Sequence, residues 1–193
     1  MGGSSPKLVA TGGGAVFDLS GYGLVAATDD PITFMGSSTI GNNQIFYTRC
    51  WVPAGKPLTG LWVSVKTANV HDGATDPNQL AVYADDGATR LGLTADDRTL
   101  WTATGWRGGA IVGGPVAASA VGRFVYVGVL CRGMNGAPVI SFPASSADWD
   151  AFYTGPGETY RRGFYVGANA FPATIDPTST GTASGYVPLL GIS

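Results

Sequence analysis

The sequence predicts an all-β fold of short antiparallel strands arranged as a sandwich or barrel. Glycine and proline occur 30 and 12 times among 193 residues, which indicates many turns. Glu158 is the only glutamate, so the acidic residues are almost all aspartate, a residue of turns rather than of helix faces. About eight to ten strand-like segments follow one another at a spacing of about 8–12 residues. No window has a helical period, and residues 145–153 contain the only predicted helical turn.

The clearest strand lies at residues 61–67, where leucine or valine occupies the first three alternate positions. A second strand is predicted at residues 45–52, and the proline and glycine residues of the segment 53–57 end it. We therefore expect two antiparallel strands joined by a short loop. Residues 69–78 are polar and rich in aspartate, which predicts an exposed loop.

A hairpin is predicted at residues 79–94. Its strands are residues 79–84 and 89–94, and Asp85-Asp86-Gly87 forms the tight turn, because Asp-Gly supplies the positive φ angle that hairpin turns require. The longest strand follows at residues 121–131, and its two apolar faces predict a central position in a sheet. Further strands are predicted at residues 101–106, 139–142, 162–168 and 186–192, and a surface loop at residues 172–184.

The first 43 residues differ from the rest of the chain. They contain Gly12-Gly13-Gly14 and Gly21-Tyr22-Gly23, and they show no clean alternation. Two interpretations stay open: an extended N-terminal arm that adds a strand to its own sheet or to a neighbouring subunit, or an ordinary first hairpin. The predicted organisation is therefore an arm or first strands at residues 1–43 and one β-sandwich domain at residues 44–193.

The composition favours some classes of partner and disfavours others. Charged residues make up 12% of the chain and apolar residues 45%, so the chain has little solvated surface and we expect a homo-oligomer. The formal net charge of −2 disfavours nucleic acid as a partner. No apolar run approaches the length of a membrane span, and the first residues lack a signal-peptide pattern. We therefore expect no membrane insertion and folding in the cytoplasm.

The sequence contains no recognisable catalytic or metal-binding pattern. The single histidine, His71, lies in the predicted loop at residues 69–78 and is expected to be solvated rather than part of a catalytic triad. Cys50 and Cys131 lie in predicted strands and are expected to be buried free thiols, too few for a zinc site. We interpret the aspartate pairs as turn residues rather than as ligands of a calcium ion. We expect no enzyme activity, no catalytic residue, no metal and no cofactor.

Aromatic side chains are the remaining candidates for a function. The chain has five tryptophans, and an exposed tryptophan can stack on a sugar ring or anchor a protein interface. Core packing explains most tryptophans, and the low charge content favours subunit contact slightly over sugar. The candidate contacts to a glycan or a partner protein are Trp62, Trp101, Trp106 and Trp149.

Three segments in the middle of the chain resemble a known group of proteins. They are FYTRCWVPAGKPLTGLWVSVKTA at residues 46–68, LAVYADDGATRLGLTADDRTLWTATGW at 80–106 and VGRFVYVGVL at 121–130. Together they resemble the β-sandwich domains of bacteriophage tail proteins, notably minor tail and tail-fibre proteins of phages that infect actinobacteria. The resemblance covers about residues 44–132 and implies a jelly-roll-like antiparallel β-sandwich. No catalytic or ligand residue carries over, because the shared positions are turns and packing positions.

The resemblance implies a virion structural protein that is assembled in the host cytoplasm. Such a protein would work as one copy in a homotrimer on a tail, in contact with other virion proteins. Its role would be architectural, or it would recognise the host through a cell-surface glycan.

Three alternatives stay open. The first is a decoration protein on a capsid surface, which an extended arm would also suit. The second is a carbohydrate-binding module or adhesin domain that uses the tryptophan candidates. The third is a glycosidase, in which two carboxylates flank a sugar bond. Its carboxylates would come from Asp72, Asp96, Asp97 and Glu158.

Overall fold

The computed structural model describes residues 8–11, 14–17, 19–28, 36–72, 77–136, 138–142, 163–178, 182–183 and 188–193. Two antiparallel sheets pack face to face, which confirms the predicted all-β sandwich. The strands in the described ranges are β1 (Leu8–Thr11), β2 (Gly14–Phe17), β3 (Ala26–Ala27), β4 (Gly36–Thr39), β5 (Gln44–Val52), β6 (Gly60–Thr67), β7 (Gln79–Ala84), β8 (Arg90–Leu93), β9 (Gly105–Ala110), β10 (Arg123–Cys131), β11 (Val139–Phe142), β12 (Gly163–Gly167), β13 (Thr182–Ala183) and β14 (Leu190–Ile192).

The first sheet has the strand order β13-β12-β5-β10-β7-β8. Strand β10 lies in its centre, where Val125 pairs with Cys50 of β5 on one side and with Ala84 of β7 on the other. The central position predicted for residues 121–131 is therefore confirmed. Residues 125–131 are all buried, because one face of β10 packs between the sheets and the other face packs under a loop.

The second sheet is built around β6, which pairs with β9, β11 and β14. Strand β3 pairs with β14, and β4 pairs with β11. Two strands from the first 43 residues thus belong to the sandwich. In contrast, β1 and β2 form a separate two-stranded sheet within the described part of the chain. The domain boundary at residue 43 stays a prediction.

Two predicted elements differ from the structure. The strand predicted at residues 101–106 begins only at Gly105, because the preceding residues form turns in which the Leu100 N–H donates to the Asp97 carbonyl oxygen. The surface loop predicted at residues 172–184 contains strand β13. The helical turn predicted at residues 145–153 lies outside the described residues.

The main core lies between the two sheets. Side chains alternate along a strand, so Cys50 and Val52 of β5 point into this core, whereas Ile45 and Tyr47 point to the outer face of the first sheet. From the second sheet, residues 61, 63 and 65 of β6 enter the same core. The alternation predicted for residues 61–67 is thereby confirmed.

The outer face of the first sheet carries a second buried cluster. Tyr47 and Tyr83 meet edge to face with ring centroids 5.7 Å apart, and the Phe171 ring lies 6.1 Å from that of Tyr47. Phe171 and Ile175 belong to residues 168–178, which cross this face and are called the covering loop below. Desolvation by burial raises the pKa of both tyrosines, so the phenols stay neutral in the folded chain.

The tight turn predicted at Asp85-Asp86-Gly87 is confirmed. Gly87 has a φ angle of +71°, and its N–H donates to the Ala84 carbonyl oxygen at 2.9 Å. The Gly87 carbonyl oxygen in turn accepts the Ile175 N–H at 2.9 Å. The hairpin turn therefore also anchors the covering loop.

Both cysteines are buried free thiols, as predicted. Burial raises the pKa of the Cys131 thiol to about 12, and only a thiolate attacks thiol reagents. We expect no reaction of native protein with Ellman's reagent at about pH 8, and two reacting thiols per chain after unfolding in guanidinium, followed by the absorbance of the released chromophore. Rapid labelling of the native protein at Cys131 would contradict the burial of this strand.

Candidate functional site

Trp101 lies in the core rather than at the surface. The residue is 0% exposed, and its indole N–H donates to Asn78 Oδ1 at 2.7 Å. A side chain with no exposed surface cannot touch a glycan or a partner. The prediction of Trp101 as a contact residue is therefore wrong, because the turn that precedes β9 directs this residue inward.

Asn78 organises the polar contacts around Trp101. Its Oδ1 also accepts the Arg132 N–H at 2.9 Å, and its Nδ2 donates to the Arg132 carbonyl oxygen at 2.9 Å. The Asn78 N–H donates to Asp96 Oδ1 at 2.8 Å. Asn78 was expected to end an exposed loop, but it is fully buried. Its role is structural, since it joins the loop before β7 to the end of β10.

Trp62 and Trp106 lie on the outer face of the second sheet. Trp106 of β9 pairs with Ser64 of β6, and Ser64 lies on the same face of β6 as Trp62 because the two are two residues apart. The two indoles therefore share one face of the sheet. Both are half-buried: the Trp62 N–H donates to Ser193 Oγ at 3.0 Å, and the Trp106 ring lies 6.5 Å from the exposed ring of Tyr22. Trp149, the fourth candidate, lies outside the described residues.

A pair of aromatic residues that the sequence analysis did not single out lies on the outer face of the first sheet. Trp51 of β5 and Phe124 of β10 are direct cross-strand partners, 49% and 36% exposed. Their ring centroids are 4.8 Å apart at an interplanar angle of 67°, an edge-to-face contact. These two residues are called the aromatic patch below.

An ion pair borders the aromatic patch. Arg49 Nε lies 2.7 Å from Asp85 Oδ1, and Arg49 Nη2 lies 2.8 Å from Asp85 Oδ2, so the contact is bidentate. The Arg49 guanidinium also lies over the Phe124 ring, 4.0 Å from its centroid. Arg49 shares a face with Trp51 because the two are separated by one residue in β5. Rings and charges thus form one continuous surface.

The covering loop leaves this surface open. Phe171 and Ile175 of the loop pack on the part of the sheet that carries Tyr47 and Tyr83. The Tyr83 hydroxyl donates to the Pro172 carbonyl oxygen at 2.6 Å, which fixes the loop there. Further along β5, Trp51 stays half exposed. The outer face of the first sheet is therefore divided into a covered part and an accessible part.

A separate cleft of about 470 Å³ is lined by His71, Asp72 and Arg98, among other residues. His71 is half-buried, and its Nε2 atom is buried without a hydrogen-bond partner among the described residues. The imidazole that was expected to be solvated is thus half-buried, with one of its two ring nitrogens enclosed. The Asp72 N–H donates to the Gly133 carbonyl oxygen at 2.8 Å, which fixes one wall of the cleft.

The other carboxylates considered for glycoside hydrolysis take part in local structure. Asp97 Oδ1 accepts the N–H and the hydroxyl of Thr99 at 2.8 and 2.6 Å, and Asp96 Oδ1 accepts the Asn78 N–H. These are turn and loop contacts. Glu158 lies outside the described residues.

No protein-family model matches the chain, and no curated protein sequence matches it. In the described ranges, no helix is long and apolar enough to cross a bilayer. The part of the chain that the structure describes also contains no group of three His, Cys, Asp or Glu side chains placed to hold a metal ion.

Proposed function

We propose that the chain is a structural subunit of a bacteriophage virion, a tail component of the minor-tail or tail-fibre type. Its role is architectural or lies in host recognition. The protein acts by binding rather than by catalysis, and it works as one copy in a homotrimer that contacts other virion proteins.

The observation that carries this proposal is the apolar surface of a charge-poor chain. Only 12% of the residues are charged, and large apolar side chains remain exposed on the single chain. Such a surface is typical of a protein that is partly covered in an assembly. Among the described residues outside the aromatic patch, the exposed large apolar side chains are Tyr22, Val70, Val112 and Val121.

The resemblance to phage tail domains supports the same proposal. The three segments that carry it supply most of β5, β6, β7, β8 and β10. These strands include β10 and β6, the strands around which the two sheets are built. The resemblance therefore concerns the framework of the sandwich.

The N-terminal hairpin supplies a means of assembly. Among the described residues, β1 and β2 pair with each other and with neither sheet of the sandwich. An isolated two-stranded hairpin is marginally stable in water. Packing of this hairpin on a neighbouring copy of the chain would stabilise it. If each copy in turn binds the hairpin of the next, the three chains of the trimer are linked.

Light scattering of the purified chain tests the assembly. We expect a mass of about 59 kDa, three times the 19.7 kDa of one chain. A variant that lacks residues 1–18 is expected to be monomeric with an unchanged far-UV circular dichroism spectrum. A full-length chain that stays monomeric at high concentration would contradict the proposal.

Gold-labelled antibodies on purified phage particles test the location. Labelling of the tail is the expected result. Labelling of the capsid surface would favour the alternative of a decoration protein, and particles without label would overturn the virion assignment. A carbohydrate-binding role remains a second candidate because the aromatic patch is accessible.

A further inference from the structure

We propose that the aromatic patch and its ion pair form a binding site for a neutral polysaccharide, with one pyranose ring stacked on Trp51. The inference rests on the host-recognition branch of the proposed function and names its site and ligand class. It can fail while the virion assignment stands.

Trp51 is held rigidly by its neighbours. Its indole lies against Gly122, where an added Cβ would overlap the ring and lie 2.8 Å from Cη2. Phe124 contacts the same indole edge to face. The ring is therefore fixed by two neighbours and still half exposed. A fixed aromatic surface loses little conformational entropy when an apolar ligand face stacks on it.

Hydrogen-bonding groups lie at the edge of the two aromatic rings. A pyranose has an apolar face of C–H groups and a rim of hydroxyls, so its site needs a ring surface beside hydrogen-bonding groups. Asp85 offers two carboxylate oxygens, each with further acceptor capacity beyond its bond to Arg49. The guanidinium is oriented by Asp85 and by the Phe124 ring. The polar groups thus stand in place before a ligand arrives.

The charges beside the aromatic rings cancel. Arg49 and Asp85 form a bidentate pair, so the site has no net charge of its own. An anionic sugar would be attracted by the positive charge of Arg49 but repelled by the carboxylate of Asp85. A ligand hydroxyl can donate to the Asp85 carboxylate, whose side chain is 32% exposed, while the Arg49 side chain, only 12% exposed, neutralises that carboxylate from below. The pair therefore favours a neutral ligand.

The size of the site fits sugar units better than a protein. A stable protein interface buries about 800 Å² on each partner. The accessible part of this face offers two half-exposed rings and one ion pair, and the covering loop occupies the neighbouring part. One or two sugar units match such a surface. A second copy of the chain is the competing occupant, and the variants below distinguish it.

Isothermal titration with neutral oligosaccharides tests the inference. The probes are soluble maltohexaose, cellohexaose and chitohexaose, followed by delipidated host cell-wall polysaccharide. We expect at least one probe to bind, and Trp51→Ala to weaken that binding roughly tenfold or more. Trp51→Phe is expected to bind with intermediate affinity. Binding of none of the probes by the wild-type chain would overturn the inference and leave the trimer and its location untouched.

Two further variants separate a binding site from a structural role. Gly122→Ala keeps every aromatic ring but displaces the Trp51 indole, so we expect weaker binding at an unchanged unfolding midpoint. Tyr22→Ala removes an aromatic ring of similar exposure that lies beside Trp106 and is the control, with binding unchanged. A loss of binding in Tyr22→Ala but not in Trp51→Ala would overturn the inference. Dissociation of the oligomer by Trp51→Ala would also overturn it and identify the patch as a subunit contact.

Discussion

Replacing Asn78 with alanine is expected to lower the free energy of unfolding by about 3–5 kcal/mol. The substitution removes both side-chain bonds to the Arg132 backbone and leaves the Trp101 indole N–H without its acceptor in the core. A buried polar group that loses its partner costs about 1–3 kcal/mol. Folded domains of this kind have a total stability of only about 5–15 kcal/mol. Urea unfolding followed by tryptophan fluorescence measures the loss.

Trp101→Phe provides the second arm of a double-mutant cycle. It removes the indole N–H while keeping an aromatic ring in the core, so the effects of the two substitutions should not add. We expect a coupling energy of about 1 kcal/mol or more between residues 78 and 101. The control is Asn42→Ala, an exposed asparagine whose Nδ2 lies 3.4 Å from the Met134 carbonyl oxygen, with an expected change within about 0.5 kcal/mol. Additive effects would show that the buried bond contributes nothing.

Local patterns in the sequence were sufficient for much of the fold. The alternation at residues 61–67 and the Asp-Gly turn at residues 85–87 are properties of adjacent residues, and both are present in the structure. The central position of β10 followed from two apolar faces in one strand. These predictions needed no knowledge of which strands are neighbours, because strand and turn geometry depends on nearby residues.

The candidate site could not be predicted in this way. Trp51 and Phe124 are far apart in sequence and become neighbours only through the antiparallel register of β5 and β10. The pattern places Arg49 and Trp51 on one face, but it does not show that the covering loop stops before them. Register and loop path depend on the packing of the whole sheet.

Trp101 is a residue that the sequence analysis predicted to be a contact and that the structure places in the core. It was a candidate for a contact with a glycan or a partner protein, whereas the turns around Asp97 direct it into the core. The decisive partner is Asn78, a polar residue at the end of a polar loop. A buried asparagine is unusual, and its sequence context gave no sign that its amide is enclosed.

Gly87→Ala is expected to release the covering loop from the first sheet. An added Cβ would overlap the Ile175 carbonyl oxygen and lie 2.8 Å from the Pro177 ring, and φ at this position is +71°. The left-handed conformation costs a non-glycine residue about 1 kcal/mol. Loss of the buried surface of Phe171 and Ile175 costs about 1.5–3 kcal/mol for each side chain. We therefore expect a total loss of about 4–7 kcal/mol in urea unfolding.

Gly55→Ala is the matched control for this substitution. Gly55 has nearly the same φ angle, +72°, but nothing lies within 4 Å of the position of its Cβ. Its expected cost is therefore only the conformational one, about 1 kcal/mol. The difference between the two variants measures how much the turn contributes to holding the covering loop. Hydrogen exchange should show faster exchange of the Ile175 amide in Gly87→Ala alone, because this N–H donates to Gly87. Equal losses of stability in both variants would mean that the loop is held by its apolar side chains without the turn.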